Sequence, residues 1–283
     1  MRTSVKSLQE DTAFVWIDRM MEPEKSKAVA QLIEDKNLEG LNFVEESKRY
    51  YPNGNLAAQV LGFVGTDDKG LDGLEMVLDD ELKGGIQKEL VATDRKGNAI
   101  FGSVLSKYLP DKGKSVTLTI DASIQFIAER ALDKAMEDTG AKHASVIVMD
   151  PKTGEILAMA NRPTYDPNHY SQGSEEDFKN IAVTNLYEPG STFKPIIASA
   201  ALASGKWKLD QVYNDKGSFA ANGHVMQNWN GEGYGPVRLI DILKFSINTG
   251  MAEIGTTTGA DILSKYVRNY GFGSKTGIEL PGE

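Results

Sequence analysis

The feature that most constrains this chain is the way its hydrophobic period changes between residues 116 and 203. Val116, Leu118 and Ile120 alternate with polar residues, which predicts a half-buried strand. Asp121 can then cap a helix carrying Ile124, Ile127, Ala128, Ala131 and Ala135 at helical spacing, and Gly140 stops it. Two more strands, Ala144 to Met149 and Glu155 to Ala160, flank Asp150-Pro151-Lys152-Thr153-Gly154, where proline and glycine stand where turns favour them. The small, apolar run Ile196 to Ala203 reads as a buried helix ending at Gly205. Strand, helix, antiparallel hairpin and helix in that order indicate an α+β fold and exclude a regular parallel α/β sheet.

The first hundred residues are less regular. Glu22-Pro23-Glu24 opens a helix with proline in its first turn; Val29, Leu32 and Ile33 repeat at helical spacing before Gly40 ends it. Phe43-Val44 reads as strand, and Pro52-Asn53-Gly54 as a turn. Asp67-Asp68-Lys69-Gly70-Leu71-Asp72-Gly73 has carboxylates, but Lys69 and Leu71 occupy positions where a calcium loop needs oxygen ligands. It is read as an acidic turn before a helix from Leu74 to Leu82 that buries Leu74, Val77, Leu78 and Leu82. The polar stretch Leu109-Pro110-Asp111-Lys112-Gly113 marks a boundary, giving domains of residues 1–111 and 112–283.

Composition removes several classes of function. A net charge of -9 argues against nucleic-acid partners, which are held through excess Lys and Arg. With no cysteine, thiolate catalysis and cysteine-ligated zinc are excluded. His143, His169 and His224 lie far apart in no metal-binding spacing, so neither a metal nor a cofactor is expected. The apolar runs Ala13 to Ile17 and Ile196 to Ala203 fall short of the roughly 18 residues that span a bilayer. No signal-peptide pattern is visible at Met1.

The chemistry is concentrated in Glu188-Pro189-Gly190-Ser191-Thr192-Phe193-Lys194-Pro195. Ser191 and Lys194, three residues apart at a helix start, share a face at its positive end. A serine hydroxyl is a weak nucleophile until a base takes its proton, and a lysine can be that base if burial lowers its pKa. Backbone N–H groups at a helix start can also face a developing oxyanion. On its own Ser-x-x-Lys is weak, since on the order of one is expected by chance and a capping serine beside a solvated lysine would look the same. The Pro-Gly turn and the apolar helix that would bury Lys194 strengthen it. Ser246-Ile247-Asn248, after a helix around Leu239 to Phe245, supplies two polar side chains able to point into one cleft. Alone it would read as a polar helix end, but the two motifs in this order match the Ser-x-x-Lys and Ser-x-Asn set of penicillin-binding proteins and β-lactamases.

The resemblance then extends over nearly the whole chain. Arg49-Tyr50-Tyr51-Pro52-Asn53-Gly54-Asn55-Leu56-Ala57-Ala58 with Leu61-Gly62-Phe63-Val64-Gly65 resembles the N-terminal pedestal of division- and sporulation-type class B penicillin-binding proteins, a segment small β-lactamases lack. Leu118-Thr119-Ile120-Asp121, and the residues from Asp150 to Met159, resemble the opening of that family's transpeptidase domain. The resemblance implies a pedestal or dimerisation domain followed by an incomplete, β-lactamase-like transpeptidase domain. It implies that Ser191 attacks the D-Ala-D-Ala bond of a peptidoglycan stem peptide with Lys194 as base. Ser246 would relay a proton to the leaving D-alanine, and Asn248 would orient the substrate amide. β-Lactam antibiotics are then implied ligands, cell-wall synthesis proteins are implied partners of the N-terminal domain, and the extracytoplasmic face of the cell membrane is the implied location.

The family's membrane-anchoring helix and its later Lys-[Ser/Thr]-Gly strand are not in this sequence, so a piece cut at both ends is expected. Neither Lys-Thr-Gly triplet replaces that strand: Lys152-Thr153-Gly154 is a turn, and Lys275-Thr276-Gly277 sits among Gly271, Gly273, Pro281 and Gly282. A phosphate loop at Gly271–Gly277 is excluded because the residue before Lys275 is not glycine. Two other readings stay open: a β-lactamase or β-lactam sensor with the same Ser-Lys chemistry, and a catalytically inactive binding module.

Overall fold

The structure is a computed structural model that describes residues 15–38, 40–43, 47–84, 113–221 and 223–283. The expected boundary at residues 111 and 112, Val44 and the start of the Ala13 to Ile17 run lie outside these. The chain divides into two compact units, residues 1–185 with 279–283, and residues 186–278.

In the first unit, helix α1 (Pro23–Lys36) begins as expected with proline in its first turn, but Asn37 ends it rather than Gly40. Asn37 adopts the left-handed conformation (φ 47°), and its N–H and that of Leu38 return to Glu34 O and Ile33 O. A short helix α2 (Ala58–Leu61) follows. The single helix expected at 74–82 is two, α3 (Gly73–Val77) and α4 (Asp79–Leu82), broken at Leu78. Val77 is exposed, and it is Glu75 that is buried, held by both nitrogens of an Arg49 fork at 2.6 and 2.9 Å. The inward carboxylate displaces the apolar face that spacing alone predicts. Gly62 and Gly73 back onto each other here: a Cβ on Gly62 would lie 1.8 Å from Asp72 O.

Residues 113–120 form no strand. Among the described contacts, this segment and the following Asp121 are tied to the neighbouring strand by Thr119 Oγ1 to Ile156 O and Asp121 N to Leu157 O, too few for a ladder. Helix α5 (Ala122–Thr139) is capped by Asp121, whose carboxylate accepts from Ser123 N and Ile124 N, and ends at left-handed Gly140. Its buried face is Gln125, Ala128, Glu129 and Leu132, whereas Ile127, Ala131 and Ala135 of the helically spaced apolar set are exposed. Polar Gln125 is drawn in because its amide exchanges hydrogen bonds with Met159 O and N at 2.9 and 2.8 Å. Met159 belongs to β2 (Ile156–Arg162), which pairs antiparallel with β1 (Ala144–Met149) across the expected turn. An aromatic cluster of Phe63, Tyr165, Tyr170 and Phe178 packs residues 51–65 against the segment after β2.

The second unit carries the 3-10 turn Gly190–Phe193, then helix α6 (Lys194–Ala203). Strands β3 (Val212–Asp215) and β6 (Gly235–Arg238) pair antiparallel around the hairpin β4 (Ser218–Ala221) and β5 (His224–Gln227). Helices α7 (Leu239–Lys244), α8 (Asn248–Thr258) and α9 (Ala260–Asn269) complete it. Ala198, Ala201, Trp207, Val237, Ile242, Ile247 and Ile254 form its core. Helices α7 and α8 approach closely through Gly250, where a Cβ would lie 2.7 Å from Ile242 Cγ1. Every strand pair among the described residues is antiparallel and mixed with helices, an α+β arrangement.

Candidate active site

Ser191 lies in the 3-10 turn and Lys194 opens α6, with the Lys194 N–H donating to Ser191 O. The tight turn brings residues i and i+3 nearly into register, so both side chains leave the same face. Gly190 makes this turn possible with φ 58°. Ser191 is exposed, while Lys194 is 9% exposed and its burial lowers its pKa below the ordinary lysine value.

Ser246 is positioned by the end of α7. It has φ 55°, a left-handed conformation that favours glycine. Its N–H donates to Leu243 O at 3.2 Å, and the Ile247 N–H donates to Ile242 O at 2.9 Å. These are the two bonds of a Schellman motif with serine at the left-handed position, and its accompanying apolar contact is supplied by Ile247 and Ile242, both 0% exposed. The core thus holds the loop by its middle residue while Ser246 and Asn248 remain only partly covered.

The four expected residues come together. Lys194 Nζ lies 2.9 Å from Ser246 Oγ, 2.7 Å from Ser246 O and 2.7 Å from Asn248 Oδ1. Ser246 Oγ lies 2.8 Å from Ser191 Oγ. Among the described contacts Lys194 therefore meets Ser191 through Ser246 rather than directly.

Behind this row lies a buried polar cluster that sequence reasoning missed. Asp215, 3% exposed at the end of β3, accepts from Thr249 Oγ1 (2.6 Å), Asn228 Nδ2 (2.7 Å), Gly217 N (2.9 Å) and Tyr234 N (3.0 Å). Burial pushes its pKa up, but the Thr249 hydroxyl, the two backbone amides and Asn228 outweigh burial and leave it lowered. Asn228 Oδ1 in turn accepts from Thr249 N at 3.2 Å, and Asn248 Nδ2 donates to Gln227 O at 3.1 Å. Asp215 and Thr249 are separated by 34 positions, and Asp215 sits in Asn214-Asp215-Lys216-Gly217, which reads as an ordinary turn. The available hint was Thr249, a hydroxyl directly after Asn248. The triplet Lys275-Thr276-Gly277 lies in a loop with no strand.

Residues 17–118 match the penicillin-binding protein dimerisation domain and residues 144–283 match the penicillin-binding protein transpeptidase domain. Stage V sporulation protein D of Bacillus subtilis is 38% identical over 94% of this chain and 41% of its own length. Probable peptidoglycan D,D-transpeptidase PenA of Neisseria gonorrhoeae is 37% identical over 97% of the chain and 46% of its own. Peptidoglycan D,D-transpeptidase FtsI of Escherichia coli K12 is 32% identical over 95% and 44%. The crystal structure of penicillin-binding protein 2X from Streptococcus thermophilus superimposes with a TM-score of 0.74 and 28% identity, covering 93% of this chain and 41% of that one.

The structure thus joins a serine and a buried lysine through a second serine, on a fold that mixes helices with antiparallel strands. The chain belongs to the class B penicillin-binding proteins, the family of the division and sporulation transpeptidases. It spans less than half the length of these curated relatives.

Proposed function

We propose that the protein is a peptidoglycan D,D-transpeptidase that forms an acyl-enzyme on Ser191. The observation that carries this is the row Lys194 Nζ, Ser246 Oγ, Ser191 Oγ, with successive separations of 2.9 and 2.8 Å. A neutral Lys194 amine has two N–H donors and one lone pair. Ser246 O and Asn248 Oδ1 can only accept, so they take the two N–H groups and leave the lone pair facing Ser246 Oγ. The Ser191 hydroxyl then gives its proton to Ser246 Oγ as Ser246 passes its own to Lys194. Ser191 Oγ bonds to the penultimate D-alanine carbonyl carbon. The C–N bond breaks, and the departing D-alanine amine takes the proton back along the same row. An acceptor amine from a neighbouring strand next attacks the ester, forms the new amide and returns Ser191 to its starting state. Asn248, besides holding Lys194, orients the donor substrate's amide.

On this reading residues 1–111 are the pedestal and dimerisation domain, and 112–283 the N-terminal part of the transpeptidase domain. The pedestal docks cell-wall synthesis proteins, and the protein works on the extracytoplasmic face of the cell membrane. No described helix is long and apolar enough to cross a membrane. β-Lactams acylate Ser191 because their strained amide imitates D-Ala-D-Ala. The test is intact-protein mass spectrometry of the full-length gene product after penicillin treatment. One adduct mapping to the Ser191 peptide and lost in Ser191→Ala is expected; an adduct that survives the substitution defeats the proposal. Persistence of that adduct over hours separates a transpeptidase from a β-lactamase, which turns it over.

A further inference from the structure

We infer that Asp215 is a positioning residue that sets which way the Asn248 amide faces. An asparagine amide can sit in either of two orientations, exchanging its donor and acceptor ends. Facing Lys194, only the oxygen end leaves the lysine lone pair for Ser246. A donor end there would compete with the lysine's own N–H groups and break the row.

The orientation is fixed by a closed ring of contacts. Asn248 Nδ2 donates to Gln227 O at 3.1 Å, which turns Oδ1 toward Lys194 Nζ at 2.7 Å. Gln227 is followed by Asn228, and Asn248 is followed by Thr249. Asp215 holds both of these followers, Asn228 through Oδ2 at 2.7 Å and the Thr249 hydroxyl through Oδ1 at 2.6 Å. Asn228 Oδ1 and Thr249 N close the ring at 3.2 Å. Thr249 is 0%, Asp215 3% and Asn228 4% exposed, so no solvent competes for these bonds. One carboxylate therefore sets the distance between the carbonyl that accepts from Asn248 Nδ2 and the helix start that carries Asn248. A carboxylate suits the task because its two oxygens accept four hydrogen bonds and offer no donor. Asparagine in its place would turn an N–H group onto the Thr249 hydroxyl or onto the donors Asn228 and Tyr234.

This inference rests on the acyl-transfer reading, and the experiment separates the two. Penicillin acylation of the full-length gene product is resolved into noncovalent affinity and the acylation rate constant, for wild type, Asp215→Asn, Thr249→Val and Thr249→Ser. The Asn248 side-chain amide is followed by 15N–1H NMR, assigned by its loss in Asn248→Asp. Asp215→Asn and Thr249→Val should each slow acylation by about tenfold or more, through the rate constant with affinity little changed, because small displacements of catalytic groups act on the chemical step. Thr249→Ser, which keeps the hydroxyl, should stay within about threefold of wild type, and the Asn248 amide protons should exchange faster in the two slow variants. Wild-type rate constants in Asp215→Asn would overturn the inference, as would a loss confined to affinity. If Asp215→Asn does not fold, the two Thr249 variants decide: equal rates for valine and serine overturn it. If wild type itself is not acylated, the acyl-transfer reading fails, and unchanged Asn248 amide exchange in Thr249→Val then overturns the role of Asp215 as well.

Discussion

Ser246 Oγ stands 2.8 Å from Ser191 Oγ and 2.9 Å from Lys194 Nζ, so the hydroxyl of the second motif lies between the two groups of the first. Its position depends on a left-handed backbone that serine tolerates poorly.

Replacing Ser246 should separate activity from stability. Both Ser246→Ala and Ser246→Gly remove the proposed relay and should slow β-lactam acylation by about two orders of magnitude, the size typical of losing a positioned proton-transfer group. Glycine suits φ 55°, so the glycine variant should be more stable than the alanine variant by about 1 kcal/mol. Urea unfolding checks the second statement, and equal stabilities would remove the strain argument.

Lys194 carries a pH signature. Burial lowers its pKa from the ordinary 10.5, and a base must be neutral to accept a proton. The rising limb of the acylation rate against pH should therefore fall below pH 10.5, and Lys194→Met should abolish it. In the window between the lowered folded value and 10.5 the unfolded chain binds the extra proton, so this lysine makes stability rise with pH there. The wild-type minus Lys194→Met stability difference should shift in favour of wild type as pH climbs through that window. A rate limb at or above 10.5 would contradict the role of base.

Gly250 is where α7 and α8 come closest, and Gly250→Ala would push its Cβ to 2.7 Å from Ile242 Cγ1. Overpacking of this kind costs about 1–3 kcal/mol. Thermal denaturation of the single variants and of Gly250→Ala combined with Ile242→Ala should show strong coupling, the second substitution costing less in the presence of the first. Additive effects would mean the helices part without strain.

Lys275→Ala should leave acylation within about a few-fold of wild type, as for a loop substitution with no special contact. Lys275-Thr276-Gly277 lies in no strand, and Gly271, Gly273 and Gly277 all have positive φ. A hundredfold loss, about 2.7 kcal/mol, would make this triplet catalytic.

What could be read in the sequence was governed by local rules. The Asp121 cap, the Gly140 stop, the Asp150–Gly154 turn and the helix after Ser191 depend on residues within a few positions of each other. Ser191, Lys194, Ser246 and Asn248 were legible because two short motifs carry them. The reading went astray where polar side chains are pulled inside by distant partners. Gln125 turns α5 by bonding to Met159, and Glu75 is drawn in by Arg49. The expected strand at 116–120 has the right alternation but too few backbone partners to form a ladder. Asp215 was invisible for the same reason, since its importance lies entirely in which groups the fold brings to it.

Ile247 should give the site a thermal character of its own. Because this residue is sealed in the apolar core between Ser246 and Asn248, their spacing follows the packing of Ile242 and Ile254 rather than the stiffness of a surface loop. Loosening that core by heat should therefore spread Ser246 and Asn248 before the helices themselves melt. Penicillin labelling measured against temperature would then fall several degrees ahead of the far-ultraviolet unfolding transition, and trimming Ile247 to valine would widen the gap.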